Sequence, residues 1–172
     1  EVFKKYKDYF NETAQKAMSS DKYLFNFPGL QNTLKSEESK MIGSVPNPKI
    51  VIAGSGMSTG GRIVHHERHY LPDPNNTLLL AGYQSIGTPG RLIQEGLKTI
   101  RITGEDVIVR AHIVNISGYS GHKDSDGLLN FVEDMQETLK KVFVVMGEPK
   151  SSMFLVQKLR DNLAIDAIAP EQ

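Results

Sequence analysis

The residues whose type and spacing could do chemistry fall in two glycine-rich turns. One is Ser117-Gly118-Tyr119-Ser120-Gly121-His122-Lys123-Asp124. The apolar run Ile113-Val114-Asn115-Ile116 reads as a strand entering it, and Leu128, Leu129, Phe131, Val132 and Met135 recur behind it at helical spacing. His122 is therefore expected at a strand-to-helix corner, where a glycine-lined backbone exposes the imidazole and Asp124 or Ser125 caps the helix. Such corners are where α/β proteins place working residues. The alternative is an ordinary turn that tolerates a histidine.

The second turn is Gly54-Ser55-Gly56-Met57-Ser58-Thr59-Gly60-Gly61. Before it, Lys49-Ile50-Val51-Ile52-Ala53 is apolar and β-branched without alternation, as expected of a strand buried on both faces of a parallel sheet. After it, a helix is expected from about Arg62 to Tyr70. Strand, glycine loop and helix N-terminus make a nest of backbone N–H groups that favours anions. The competing reading is a tight turn that needs glycine for positive φ. No Gly-Lys-Ser/Thr closes the loop, so it is not a nucleotide P-loop. The helix carries His65, His66 and His69. His65 and His69, at i and i+4, could share one metal ion, but two ligands close no site and no acid is evidently placed to complete it. A surface or partly buried helix face is the better expectation, and no zinc is assigned there.

The pattern then repeats. Thr77 to Gly82 reads as a second buried strand, and Tyr83-Gln84-Ser85-Ile86-Gly87 as a loop. Thr88 and Pro89 begin a helix that carries Arg91 and ends near Gly96. Repetition of strand, glycine turn and helix implies an α/β fold with a parallel, doubly wound (α/β/α) sheet and its loops on the carboxyl edge. Both glycine loops should face one crevice, with Arg62 and Arg91 as a local basic patch. Alternatively, Arg91 pairs with a neighbouring acid.

Around these loops the chain supplies scaffolding. Phe3, Tyr6, Phe10, Thr13 and Ala17 fall on one stripe of an amphipathic helix to about Met18. Ser19 to Lys22 is expected as a loop, Leu24 to Phe27 as an extended piece stopped by Pro28-Gly29, and Ser36 to Ile42 as a helix with a capping box begun at Thr33. Pro46-Asn47-Pro48 forces a turn. Past Gly96, alternation over Thr99–Ile102 and Val107–Arg110 predicts an antiparallel hairpin, with a domain boundary near 97. A helix from about Ser125 to Leu139, a buried strand from Lys141 to Glu148, a helix from Ser151 to Leu163 and an edge strand from Ile165 to Ala169 complete the expectation.

Composition narrows the function classes. The 172 residues suffice for one good-sized domain or two small ones. Twenty basic and twenty acidic residues cancel, so contact with phosphates must be local. The absence of cysteine excludes disulfides and thiolate metal sites, and fits a reducing cytosol. No apolar run approaches the roughly 18 residues of a membrane span. The chain starts at Glu1 within a helical pattern, without a signal peptide, as a piece of a longer protein would.

Gly118 to Asp124 resembles the serine/glycine-histidine-x-aspartate signature of the metallo-β-lactamase-fold RNA-processing nucleases that carry a β-CASP domain. Ala53-Gly54-Ser55-Gly56-Met57 with Gly60-Gly61-Arg62, and Gly82-Tyr83-Gln84 with Gly87-Thr88-Pro89-Gly90-Arg91, resemble two further blocks of that family in the expected order. The resemblance implies a partial β-CASP domain over residues 1–96. Residues 97–172 would be the C-terminal metallo-β-lactamase-type segment: hairpin, then β/α elements. It implies zinc-dependent hydrolysis of RNA phosphodiesters. His122 matches the histidine thought to supply a proton, and Asp124 the acid beside it. Ser55, Gly56, Met57 and Arg62 would line the path of the RNA backbone, with Arg91 in the same basic patch.

Two departures qualify what is implied. The His-x-His-x-Asp-His block that binds most of the metal is absent from these residues and lies upstream in the family. This chain alone is then expected to be inactive and to hold no zinc, requiring an N-terminal metallo-β-lactamase segment in cis. Relatives also have a zinc-ligand histidine where this chain has Met146, and a thioether is a poor ligand for zinc. The other readings are a non-catalytic RNA-binding or scaffolding member of the family and a stand-alone small-anion-binding α/β enzyme. The expected partners are RNA, no membrane, and a second copy through exposed sheet edges.

Overall fold

The computed structural model describes residues 2–21, 24, 27–116, 118, 119 and 121–170. It divides into two compact units, residues 1–115 and 116–172.

At the N-terminus the expected single helix is three pieces: α1 (Val2–Lys5), a 3-10 turn (Lys7–Tyr9) and α2 (Glu12–Ser20). Phe10 is extended, and the Asn11 side chain accepts the Ala14 N–H at 2.9 Å. A good capping residue thus starts a new helix where apolar periodicity alone would continue the old one. The expected extended piece at Leu24–Phe27 has Phe25 and Asn26 outside the described residues. Helix α3 (Ser36–Lys40) continues as a 3-10 turn (Met41–Ser44). Glu38 Oε2 accepts the N–H groups of Leu34 and Lys35 at 2.8 and 3.1 Å, so the cap lies at Lys35 rather than Thr33.

The run 49–53 is not a buried strand. No strand among the described residues pairs with it, and Ile50 is 91 % exposed. Composition gives a run the tendency to be buried. Burial itself requires a neighbour on the hydrogen-bonding edge and a layer over each face, and neither is local information.

Helix α4 (Gly61–Tyr70) starts where glycine allows positive φ, at Gly61 (φ 70°). Strand β1 (Thr77–Leu80) buries Leu80 and exposes Leu79, so it too is covered less completely than its apolar sequence predicts. Helix α5 (Pro89–Gln94) begins as expected, with the Thr88 hydroxyl accepting the Arg91 N–H and Pro89 in the first turn. The expected hairpin forms from β2 (Thr99–Ile102) and β3 (Glu105–Ile108). Strand β4 (His112–Asn115) runs parallel to β1, Thr77 against His112 and Leu80 against Asn115, so the two strands end on the same edge. Leu71, Ile93, Ile100, Ile102, Val107 and Val109 form the core, with Val64, Leu78, Leu92 and Ile113 packed against it. The hairpin therefore shares its core with α4 and α5.

In the second unit, α6 (Ser125–Glu133) stops short of Leu139. Met135 and Gln136 N–H groups bond i−3 carbonyls, and the Gln136 side chain donates to the Leu163 carbonyl at 2.8 Å. Short strands β5 (Val142–Phe143) and β6 (Ala167–Ile168) pair in parallel around α7 (Pro149–Leu163). Val156, Leu159, Leu163, Ile165 and Ala167 form this core. Lys158 bridges Asp126, joining α6 to α7. The fold is thus mixed α/β with parallel strands. Among the described residues no helix is long and apolar enough to cross a membrane.

Candidate functional site

The glycine loop 54–61 is a fixed object. The Ser58 N–H closes a turn onto the Ser55 carbonyl at 3.0 Å. Both residues are left-handed, φ 67° at Ser55 and 59° at Ser58. That conformation is unfavourable for a non-glycine residue by about 1 kcal/mol or more and persists only where the surroundings impose it. Ser58 is buried, and its hydroxyl donates to Glu67 Oε1 at 2.5 Å. Glu67 is itself only 3 % exposed, and its Oε2 has no hydrogen-bond partner among the described residues. Burial pushes this carboxyl up from the ordinary glutamate range, and the Ser58 hydrogen bond only partly offsets that.

The glycine loop 82–90 packs directly against loop 54–61. Gln84 is 2 % exposed, and its amide donates to the carbonyls of Gly56 at 2.7 Å and Gly82 at 3.1 Å. The Gly90 N–H donates to the Met57 carbonyl at 3.1 Å. A Cβ at Gly90 would collide with Gln84 Oε1 and approach the Met57 carbonyl carbon to 3.1 Å. Glycine is required there by space rather than by dihedral angle. The two loops, expected to face one crevice, touch each other through Gln84 and Gly90. Ser55 and Gly56 remain exposed and Met57 half-buried.

The two arginines of the expected basic patch have partners within the fold. Arg62 donates to the Thr33 carbonyl at 2.5 Å and the Leu34 carbonyl at 3.3 Å, fastening the 33–34 backbone to the first turn of α4. Arg91 donates to Glu95 Oε1 at 2.6 Å and to the Gln84 carbonyl at 3.2 Å. Its pairing with a neighbouring acid was the alternative weighed from sequence.

On α4 the histidines separate by face. His66 is buried, Nε2 lying 3.0 Å from Ser39 Oγ, with its ring stacked on Tyr70. Burial, then the neighbouring charges of His65, His69 and Arg62, hold its pKa below the usual histidine value. His65 and His69 are exposed and line an open groove with Arg68, Glu105 and Asp106. Acids thus do reach that face, but Glu105 is paired with Arg68.

His122 and Asp124 lie in the second unit. Asp124 is the helix cap, its carboxylate accepting the Gly127 N–H at 2.8 Å. Gly121, His122 and Lys123 are exposed, and Gly118 has φ 119°. Ser117 and Ser120 of the motif lie outside the described residues. Met146 is 92 % exposed with φ 66°. Next to it Gly147 packs so closely on α7 that a Cβ would come 2.5 Å from Ser152 Oγ.

Residues that could hold a zinc ion do not assemble from these donors. Among the described residues no three His, Cys, Asp or Glu side chains are close enough to share a metal, and Met146 presents a thioether. The residues that sequence reasoning missed are Gln84, Ser58 and Glu67. Glu67 had a signal: it falls on the stripe Val64, Glu67, Leu71, where an apolar residue belongs.

Two family models match the chain. Residues 1–93 match the Beta-Casp domain, and residues 106–170 the Zn-dependent metallo-hydrolase RNA specificity domain. Among curated proteins, a ribonuclease of Thermus thermophilus, TTHA0252, is 38 % identical over 147 residues, covering 86 % of this chain and 33 % of that protein. The transcription termination factor FttA of Pyrococcus horikoshii is 33 % identical over 140 residues, 78 % of this chain and 22 % of its own length. The FttA of Cenarchaeum symbiosum is 29 % identical over 168 residues, 93 % of this chain and 26 % of its own. The chain therefore spans a third or less of the length of these relatives.

Proposed function

The chain belongs to the β-CASP family of metallo-β-lactamase-fold RNA nucleases, and from that premise we propose that it supplies the RNA-contacting and proton-delivering residues of a zinc-dependent ribonuclease. Hydrolysis of a phosphodiester requires a hydroxide nucleophile, neutralisation of charge at phosphorus and a proton for the leaving oxygen. Zinc supplies the first of these in such chemistry. Its ligands would come from beyond the donors of this chain, which alone is expected not to hydrolyse RNA.

The observation that carries the reading is the junction of the two glycine loops. Fixed backbone at Ser55, Gly56 and Met57 can meet phosphate oxygens without being ordered on binding, and a preorganised surface loses less affinity to entropy. Arg62 and Arg91 stand beside it; in this reading Arg62 adds positive charge at its rim, and Arg91, paired with Glu95, offers its remaining N–H groups. His122, on an exposed turn, is assigned the proton for the leaving oxygen, and Asp124 holds that turn as the helix cap. A second reading is a non-catalytic RNA-binding member of the family, which the exposed thioether at Met146 favours.

The test is RNA cleavage by the full-length protein with added zinc, wild type beside His122→Ala, with RNA affinity measured in parallel. The variant is expected to lose about 10²–10⁴-fold in cleavage rate, with affinity essentially unchanged. An equal loss of affinity would remove His122 from the chemistry. Wild-type protein that binds RNA without cutting it would favour the second reading.

A further inference from the structure

We propose that Glu67 is a positioning residue: through Ser58 it fixes the turn in which the glycine loop holds Ser55, Gly56 and Met57 against RNA. The assignment of RNA to that loop rests on the function proposed above; the fixing of the turn does not.

Three observations lead here. The Ser58 hydroxyl is buried, so it depends on a protein partner, and Glu67 Oε1 is that partner at 2.5 Å. The same serine is left-handed and its N–H closes the turn onto Ser55, so whatever holds the Ser58 side chain holds the turn. Finally, Glu67 stands on a helix face where Val64 and Leu71 join the core. There a carboxyl is a poor choice for stability: it is buried, one oxygen has no partner among the described residues, and its acidity is weakened. A side chain so ill-suited to its own packing is explained by what it holds in place. Gln84 grips the loop from the other side through the Gly56 carbonyl. It reaches neither the Ser55 nor the Ser58 end of the turn by a hydrogen bond. The two contacts are therefore complementary.

A residue that only adds stability would lower the midpoint and leave the RNA affinity of the folded protein unchanged, whereas a positioning residue lowers affinity and loop protection out of proportion to the midpoint. Glu67→Gln keeps an oxygen to accept the Ser58 hydroxyl and removes the buried charge. Glu67→Leu has similar size and removes the acceptor. Each is measured for thermal midpoint, for affinity to a labelled single-stranded RNA oligonucleotide, and for amide exchange across residues 54–61. Ile102→Ala, a core change in the hairpin, serves as a destabilised control. Glu67→Gln is expected to hold the midpoint within about 3 °C because it keeps the acceptor, whereas Glu67→Leu leaves the buried Ser58 hydroxyl without one and should lower the midpoint no further than the core control does. Glu67→Leu should bind RNA about tenfold more weakly and exchange its loop amides faster, whereas Glu67→Gln and the control should match wild type in both. Wild-type affinity and loop protection in Glu67→Leu would overturn the proposal, as would affinity that falls only as far as the midpoint falls. If wild type itself binds no RNA, the functional reading fails and the exchange comparison alone decides whether Glu67 sets the loop.

Discussion

Of the glycine-containing turns that lead into helices, those before α4 and α6 are described by different contacts. The turn before α4 is gripped at Ser58 by Glu67, at Gly56 by Gln84 and at Met57 by the Gly90 N–H. The turn before α6 exposes Gly121, His122 and Lys123, and among its described contacts the Asp124 carboxylate accepts the Gly127 N–H. The first arrangement suits recognition, in which backbone must already be in place when an anion arrives. A buried polar network fixes backbone, whereas a cap fixes where a helix begins.

The largest effect should come from Gly90→Ala. By helix propensity alone, alanine in α5 would stabilise by about 0.5–1 kcal/mol. Contact decides otherwise, because the new Cβ would occupy the space of Gln84 Oε1 and press on the Met57 backbone. Displacing Gln84 would leave the Gly56 and Gly82 carbonyls without their donor. We expect a loss of about 1–3 kcal/mol in denaturant unfolding of the first unit, and about tenfold weaker RNA binding. A higher midpoint would mean that the loop junction yields, and the contrast between the turns would collapse.

Asp124→Ala should do less. Loss of the cap is expected to destabilise α6 by about 1 kcal/mol, with Asp124→Asn recovering most of it. Amide exchange should quicken in the first turn of α6 and stay unchanged across residues 54–61. Protection lost in the glycine loop as well would show that the two turns are not separate devices.

What could be read from the sequence follows the same division. Thr88, Pro89 and Asp124 were legible because a cap and its helix are neighbours in sequence. The hairpin was legible from alternation and a glycine turn. The run 49–53 misled because apolarity states a tendency to be buried and leaves the covering layer unspecified. The break at Asn11 was missed because the apolar stripe runs through it, although the capping residue was visible. At the candidate site, the glycines announced a loop. Its fasteners, Gln84 from 28 residues away and Glu67 from nine, act across the fold. Only the placement of Glu67 on an apolar stripe hinted at one of them.

The smallest effect sharpens the account of the first turn, because two buried titratable groups lie on α4 with opposite signs. The pKa of His66 is lowered in the fold, so its contribution is complete above the ordinary value of 6.5 and is lost as pH falls through the lowered one. The pKa of Glu67 is raised, so its contribution is complete below the ordinary value of 4.5 and is lost as pH rises through the raised one. Between pH 4.5 and 6.5 the two groups therefore act in opposite senses, His66 making the first unit more stable as pH rises and Glu67 making it less so. Glu67→Gln removes one slope and leaves the other. Its thermal midpoint should then rise with pH across that window by about 1–3 °C more than wild type does. Parallel profiles would mean that Glu67 does not change its charge there, and that the Ser58 hydrogen bond meets an ionised carboxylate throughout.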